Sequence, residues 1–335
     1  MTSVAMRIRV TWLIFGSAAV LTCLLAPLIG STPISIARVF DRSGGFAENL
    51  DAQIFFVARL PRVLAGALVG SALAAAGVVF QALLRNPLAT PFTLGVSAGA
   101  ALGAMLTIAL LPSLGSVMGM SAVPLASFTG SLGATGIVYA LARSRRHGLS
   151  TEVLLLAGVT LNSFFSALIL FAQFLADFTQ TFRTVRWLMG DLDVSSYGPL
   201  VAALPPLGFA FGAFLFLLRP LNLLSLGEEG AAARGIDVRR TQRLAFLSAS
   251  LATGAAVSLG GPVGFIGIVI PHLVRLLVGA DHRLVLPASL FGGAAFLVAC
   301  DTVARTALAP TELPVGVITA MIGGPFFLWL LMRGR

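Results

Sequence analysis

Apolar residues in this chain gather into long blocks separated by short polar joints. Ten blocks approach the length of about 20 residues that a helix needs to cross a bilayer: 12–30, 61–83, 93–112, 121–142, 153–175, 197–218, 242–260, 265–279, 284–304 and 314–332. Each predicts a membrane-spanning helix, the eighth a short one. The longest polar stretches between them, 31–59 and 219–243, leave no room for a soluble domain. The chain reads as one all-α transmembrane unit over 1–335, and an even number of spans puts both termini on one side.

The stretch 260–283 departs most from a simple span. It joins Gly260-Gly261-Pro262-Val263-Gly264 to a short apolar run containing Pro271, and leaves through Ala280-Asp281-His282-Arg283. Such punctuation suits a span that is broken and re-entered. Irregular backbone survives at membrane depth only where protein or a cavity covers it. Glycines recur at four-residue spacing in Gly66/Gly70, Gly95/Gly99/Gly103, Gly208/Gly212 and Gly260/Gly264. Small residues so spaced let helices approach closely in lipid, so these predict tight bundle packing.

Composition sharpens the class. Apolar residues make up 57% of the chain and charged residues 10%, against about 45–50% and about 25% in soluble proteins. So little charge could not cover a water-exposed core. The basic start at Met1–Arg9 resembles a signal peptide. However, 12–29 is long enough to span and lacks a small-residue cleavage site, so it reads as the first span.

All 22 basic residues are arginine and the net charge is +9. They cluster at span ends, without a nucleic-acid-binding pattern. With both termini cytoplasmic, Arg7, Arg9, Arg85, Arg143, Arg145, Arg146, Arg219, Arg234, Arg239, Arg240, Arg243, Arg275, Arg283, Arg333 and Arg335 fall inside, 15 of the 22. That bias follows the positive-inside rule. Cys23 and Cys300 sit in apolar runs as small packing residues. His147, His272 and His282 form no Cys/His cluster, so no bound metal is indicated.

Three places could carry function. Arg59 and Arg62 flank Pro61 at the outer end of the second span, read as a helix start where the dipole opposes a cation. Arg305 lies at the outer end of the ninth. These arginines either snorkel to lipid phosphate or form an electropositive rim that receives acidic side chains of an external partner. On the inner side, 225–240 has helical character, with Glu228 and Glu229 near its start and arginines near its end, as a helix dipole favours. Its alanine and glycine centre makes a small, flat surface that could fit a partner's groove; a solvated loop is the alternative. Finally, Arg85-Asn86-Pro87-Leu88-Ala89-Thr90-Pro91 joins spans two and three, stiffened by prolines that forbid helix there. Ser150-Thr151-Glu152 enters span five from the same side, where a hydroxyl either caps the helix or gates a path.

Two competing readings are weaker. Gly95-Val96-Ser97-Ala98-Gly99 with His272 suggests an intramembrane serine hydrolase, but a nucleophile elbow sits between a strand and a helix, not inside an apolar helix. An ion-coupled transporter needs deep acidic groups, and these are nearly missing, with Asp301 close to a span end. No phosphate-cradling Gly-x-x-x-x-Gly-Lys-Ser/Thr loop is present. The driving energy must come from another subunit.

Across essentially its whole length the chain resembles the permease subunits of iron-chelate, haem and cobalamin ABC importers, the FecCD-type family of type II importers. The resemblance rests on Arg59-Leu60-Pro61-Arg62, the runs 81–89 and 94–99, Leu154-Leu155-Leu156-Ala157-Gly158, Trp187-Leu188-Met189-Gly190, Leu226-Gly227-Glu228-Glu229, the block 260–283, and Glu312-Leu313-Pro314-Val315-Gly316. It implies ten helices per subunit, a second permease copy (a homodimer), two cytoplasmic ABC ATPases and a periplasmic binding protein, in the bacterial inner membrane. ATP and magnesium would sit on the ATPases, leaving this chain without cofactor or catalytic residue. By the same resemblance, Arg59, Arg62 and Arg305 receive binding-protein carboxylates. The coupling segment, about 222–240, seats Leu226, Gly227, Glu228, Glu229, Ala231, Ala233, Arg234 and Gly235 in the ATPase cleft. Ser150 and Thr151 form the inner gate, with Asn86, Pro87 and Leu88 beside it.

Overall fold

A computed structural model describes residues 4–41, 45–110, 116–117, 120–143, 150–194 and 196–333. Its helices are α1 Val4–Leu25, α2 Ile36–Val39, α3 Leu50–Gln53, α4 Leu60–Leu83, α5 Val96–Leu110, α6 Ala122–Arg143, α7 Thr151–Leu175, α8 Phe178–Leu188, α9 Gly198–Leu224, α10 Glu228–Ala232, α11 Val238–Gly260, α12 Ile266–Val278, α13 His282–Thr306 and α14 Val315–Arg333. A two-residue pairing of Ser116–Val117 with Met120–Ser121 is the one strand ladder among the described residues. Each of the ten predicted blocks holds a helix. Seven are long and apolar enough to cross a membrane, while α5, α12 and α14 are shorter apolar helices. Arg145, Arg146, His147, Arg335 and the predicted end of the third span at 111–112 lie outside the described residues.

The second span starts earlier than its prolines suggest. α3 runs through a π-helical turn, Ile54–Arg59, directly into α4. Pro61 has no N–H, and its ring would meet the carbonyl four residues back in a regular α-helix. The wider π turn takes up that misfit, with the Leu60 N–H bonded to the Phe55 carbonyl five residues away. Arg59 and Arg62 therefore stand inside a continuous helix, not at an N-terminus facing an opposed dipole. From the other side, the Tyr197 hydroxyl donates to the Phe56 carbonyl at 2.6 Å.

The core is assembled around α4, the most buried of the long spans. It packs on α13 where Gly70 and Gly293 face each other. A Cβ on Gly70 would lie 2.1 Å from the Gly293 carbonyl oxygen, which makes glycine obligatory for this approach. Gly99 and Gly103 close in the same way on Gly130 and Ala126 between α5 and α6. Gly208 and Gly212 do not follow the expectation. Nothing lies within 4 Å of a Cβ at either, so these two glycines mark no close helix approach within the chain, although Leu207, Ala210 and Phe214 beside them are buried.

The break in 260–283 falls where the sequence placed it. α11 ends at Gly260, beside Val69 and Leu192. The chain turns through 261–265 and resumes as α12, whose Gly267 lies against Leu73 and Gly77 of α4. Gly261 takes a positive φ of 66°, and a Cβ there would lie 2.5 Å from the Trp187 carbonyl oxygen. The turn is covered by protein: the Asp191 N–H donates to the Gly260 carbonyl at 3.0 Å, Val263 and Ile266 are buried, and the Gln81 amide donates to the Gly267 carbonyl at 2.9 Å. At 13 residues, α12 is about 20 Å long.

Candidate functional site

One end of the bundle holds a buried charge cluster. Arg59, Arg62 and Arg305 are 6%, 8% and 4% exposed, so they do not snorkel to lipid. Sequence reasoning missed their partners. Asp301, 1% exposed, accepts from Arg62 Nε at 3.0 and 3.1 Å and from Arg305 Nε at 3.0 Å. The four-residue step from Asp301 to Arg305 is the signal that could have found the second pairing. Glu312 accepts from Arg62 Nη1 at 2.6 Å. Arg305 also donates to the carbonyls of Ile29 and Ala26 at 3.2 and 3.3 Å.

Arg59 differs from the other two. Among the described residues it donates only to backbone carbonyls, of Pro27 at 3.1 Å and of Thr32. Three guanidinium groups thus share two carboxylates, and the cluster keeps one positive charge. All three arginines and Glu312 line a cavity of about 740 Å³, with Phe182, Arg186 and Met189 of the α8 region on its wall. A desolvated cation without a counter-ion in an open cavity is a site for an anionic group.

The opposite end holds the predicted coupling and gate segments. α1 reaches the arginine end through Ala26 and Ile29 and α14 starts there after Glu312, so Val4 and Arg333 both lie at this far end. Between α9 and α11 the chain forms α10. Leu226 is 61% exposed and Ala231 is fully buried. Gly227 precedes the helix, Glu228 and Glu229 fill its first turn, and Ala233, Arg234 and Gly235 close it. Within the segment of about 222–240, Asn222 belongs to α9, and Arg239 and Arg240 open α11 instead of ending the helix that starts at Glu228, because Gly235 and the Asp237 cap end one helix and begin the next.

Glu228 accepts from Gln242 at 3.0 Å and lies 3.9 Å from Arg85. The α10 turn therefore touches the loop that follows α4. In that loop Asn86 Oδ1 accepts the Leu88 N–H at 2.9 Å, and Pro87 and Leu88 are exposed. Pro91 does not forbid helix there. It opens a short 3₁₀ turn, Pro91–Leu94, capped by Thr90, because proline is tolerated in a first helical turn. This turn packs on α7, with Asn162 donating to the Phe92 carbonyl at 3.1 Å. Ser150 caps α7, accepting from the Val153 N–H at 3.5 Å, and Thr151 is its first residue. The structure thus brings the 86–91 loop, the start of α7 and α10 to one end, and Arg59, Arg62 and Arg305 to the other.

A second missed group braces the end that holds α10. Asn222 donates to Asp281 Oδ1 at 2.7 Å and accepts from the His282 N–H at 2.9 Å. Asp281 caps α13 and pairs with Arg283 at 2.8 Å. These bonds, led by the Arg283 contact, hold its carboxyl down at about 2. The hydrolase reading finds no geometry: neither Ser97 Oγ nor His272 Nε2 has a hydrogen-bond partner among the described residues. No group of three or more metal-ligating side chains occurs among them.

The model of the FecCD transport family matches residues 18–333 of this chain. The chain belongs to the FecCD family. Among its relatives, the hemin transport system permease protein HmuU of Yersinia pestis is 38% identical over 325 residues, covering 96% of both chains. The cobalamin import system permease protein BtuC of Halobacterium salinarum is 46% identical over 277 residues, covering 82% of this chain and 72% of that one. A metal-chelate type ABC transporter solved in an inward-facing conformation superposes with a TM-score of 0.80 at 31% identity, over 97% of this chain and 99% of that chain. This FecCD chain is accordingly a transmembrane permease subunit of an ABC importer.

Proposed function

We propose that this permease carries a metal chelate of the haem, cobalamin or iron-chelate kind across the bacterial inner membrane by alternating access. It acts as one of two identical copies, crosses the membrane ten times and keeps both termini in the cytoplasm. Two cytoplasmic ABC ATPases drive it and a periplasmic binding protein feeds it. Arg59, Arg62 and Arg305 receive that protein's carboxylates. Leu226–Gly235 seats in the ATPase cleft. Asn86, Pro87, Leu88, Ser150 and Thr151 form the inner gate.

The observation that carries this reading is α4. It holds Arg62 near its first turn and ends at Leu83, just before Arg85 meets Glu228 of the coupling turn. From Arg62 to Leu83 is about 30 Å at 1.5 Å per residue, the thickness of the hydrocarbon layer. A single buried helix thus joins an unneutralised cation cluster at one face to an exposed apolar and acidic turn at the other. An ATPase that moves α10 would move the end of α4 and the gate loop with it. No nucleotide-binding loop exists in the chain, which fits an energy source on a partner.

Arg59→Gln tests docking with the least structural damage, because Arg59 has no carboxylate partner to orphan. In proteoliposomes with the ATPase and binding protein, it should abolish stimulation of ATP hydrolysis by the binding protein. Unchanged stimulation removes Arg59 from docking. Deleting 228–234 should leave ATP hydrolysis running without transport, and retained coupling would reject that assignment.

A further inference from the structure

At the end that holds both termini, a groove of about 480 Å³ opens between α1 and the last turn of α12. Val10, Ile14, Phe15, Leu277 and Val278 line it, with Arg7 among them. Arg7 Nη2 donates to the Val278 carbonyl at 3.0 Å, which fixes the guanidinium over one end of the groove. Among the described residues no carboxylate pairs with Arg7.

The spacing of Arg7, Val10 and Ile14, three residues and then four, puts them on one face of α1. They cover about 10 Å along the helix axis. α1 is also among the least buried spans, with Ile14 and Leu277 exposed, so the groove opens sideways toward lipid. A soluble anion gains nothing from an apolar wall, and a neutral apolar molecule gains nothing from a fixed cation. An amphiphile with an anionic head and an alkyl tail satisfies both halves of the groove.

We propose that this groove binds an anionic phospholipid, with its phosphate on Arg7 and an acyl chain along Val10, Ile14 and Leu277. The site requires only that the chain sits in a bilayer, and it does not depend on the transport reading. A guanidinium near the headgroup level favours an anionic lipid by a factor of about five.

The purified protein, with whatever subunits accompany it, is titrated in native mass spectrometry with equal amounts of dioleoylphosphatidylglycerol and dioleoylphosphatidylcholine. Retained phosphatidylglycerol is expected to fall about fivefold relative to phosphatidylcholine in Arg7→Gln. Arg7→Lys, which keeps the charge, should hold most of the preference. Arg9→Gln removes the same charge two residues on, about 200° around the helix, and should leave the preference intact. Val10→Trp should expel the lipid while Arg7 remains. An unchanged preference in Arg7→Gln, an equal loss in Arg9→Gln, or full retention in Val10→Trp would overturn the site. Displacement of the lipid by millimolar inorganic phosphate would overturn its assignment to a lipid.

Discussion

Asp301→Asn isolates the energetics of the buried charge cluster. The substitution keeps volume and shape but removes the charge that two arginines share. In the native chain Asp301 accepts one N–H from each of Arg62 and Arg305 at 3.0–3.1 Å, the Arg62 Nε–H being shared between both carboxylate oxygens, and is 1% exposed. After the change, Arg62 keeps Glu312, whereas Arg305 keeps only neutral acceptors: two carbonyls and the Thr302 hydroxyl at 3.3 Å. The cluster then carries three guanidinium groups against one carboxylate. Removing one partner of a buried ion pair typically costs about 3–5 kcal/mol, because the desolvation of the orphaned ion is no longer offset. The value belongs at the low end of this range, since Arg305 is buried but borders the cavity. Pairing Asp301→Asn with Arg305→Gln should recover part of the loss, which distinguishes charge imbalance from a local packing defect. Arg38→Gln is the control. Its pair with Asp51 has Arg38 75% exposed, and surface pairs contribute about 0–1 kcal/mol. Unfolding free energies from denaturant titration in mixed micelles would measure all four proteins. A loss below about 1 kcal/mol for Asp301→Asn, no larger than the control, would refute this account of the cluster.

Other consequences are equally open to test. Gly70→Ala forces a methyl group against the Gly293 carbonyl and should destabilise by about 1–3 kcal/mol in the same titration. Gly208→Ala meets nothing and should stabilise by up to about 1 kcal/mol; equal effects would contradict the packing described. Tyr197→Phe removes the hydrogen bond on the π turn and should cost about 1 kcal/mol, read as a lowered denaturation midpoint. The Asp281 carboxyl titrates at about 2 in the folded chain, below its ordinary value of 3.8. Its contribution is therefore complete above about pH 4 and is lost as the pH falls toward 2. The stability gap between wild type and Asp281→Asn should close over that interval, and a gap constant with pH would count against the bracing role.

Much of this architecture is legible in the sequence because lipid imposes one dominant rule, a run of apolar residues for every buried helix. The break at 261–265 was readable because glycine and proline mark backbone that cannot stay helical. The start of α4 was not, since Pro61 reads as a first turn and nothing local announces a π turn that absorbs it. α8 was also missed, although Phe178, Phe182, Val185 and Met189 repeat at helical spacing and Asp177 with Gln180 forms its capping box. Its arginines, Arg183 and Arg186, interrupt the apolar run that marks a span. The arginines were found as charged residues at span ends, but their buried state depends on Asp301 and Glu312, one on α13 and the other just before α14. Asn222 carried no local signal, because its partners stand 59 and 60 residues away.

The most direct test concerns where the work comes from. The chain would be reconstituted in vesicles with and without its ATPase, and uptake of haem, cobalamin or a ferric chelate followed under imposed proton or sodium gradients. Uptake that requires both the ATPase and ATP, and ignores the gradients, is the predicted result. Uptake driven by a gradient in vesicles lacking the ATPase would contradict it.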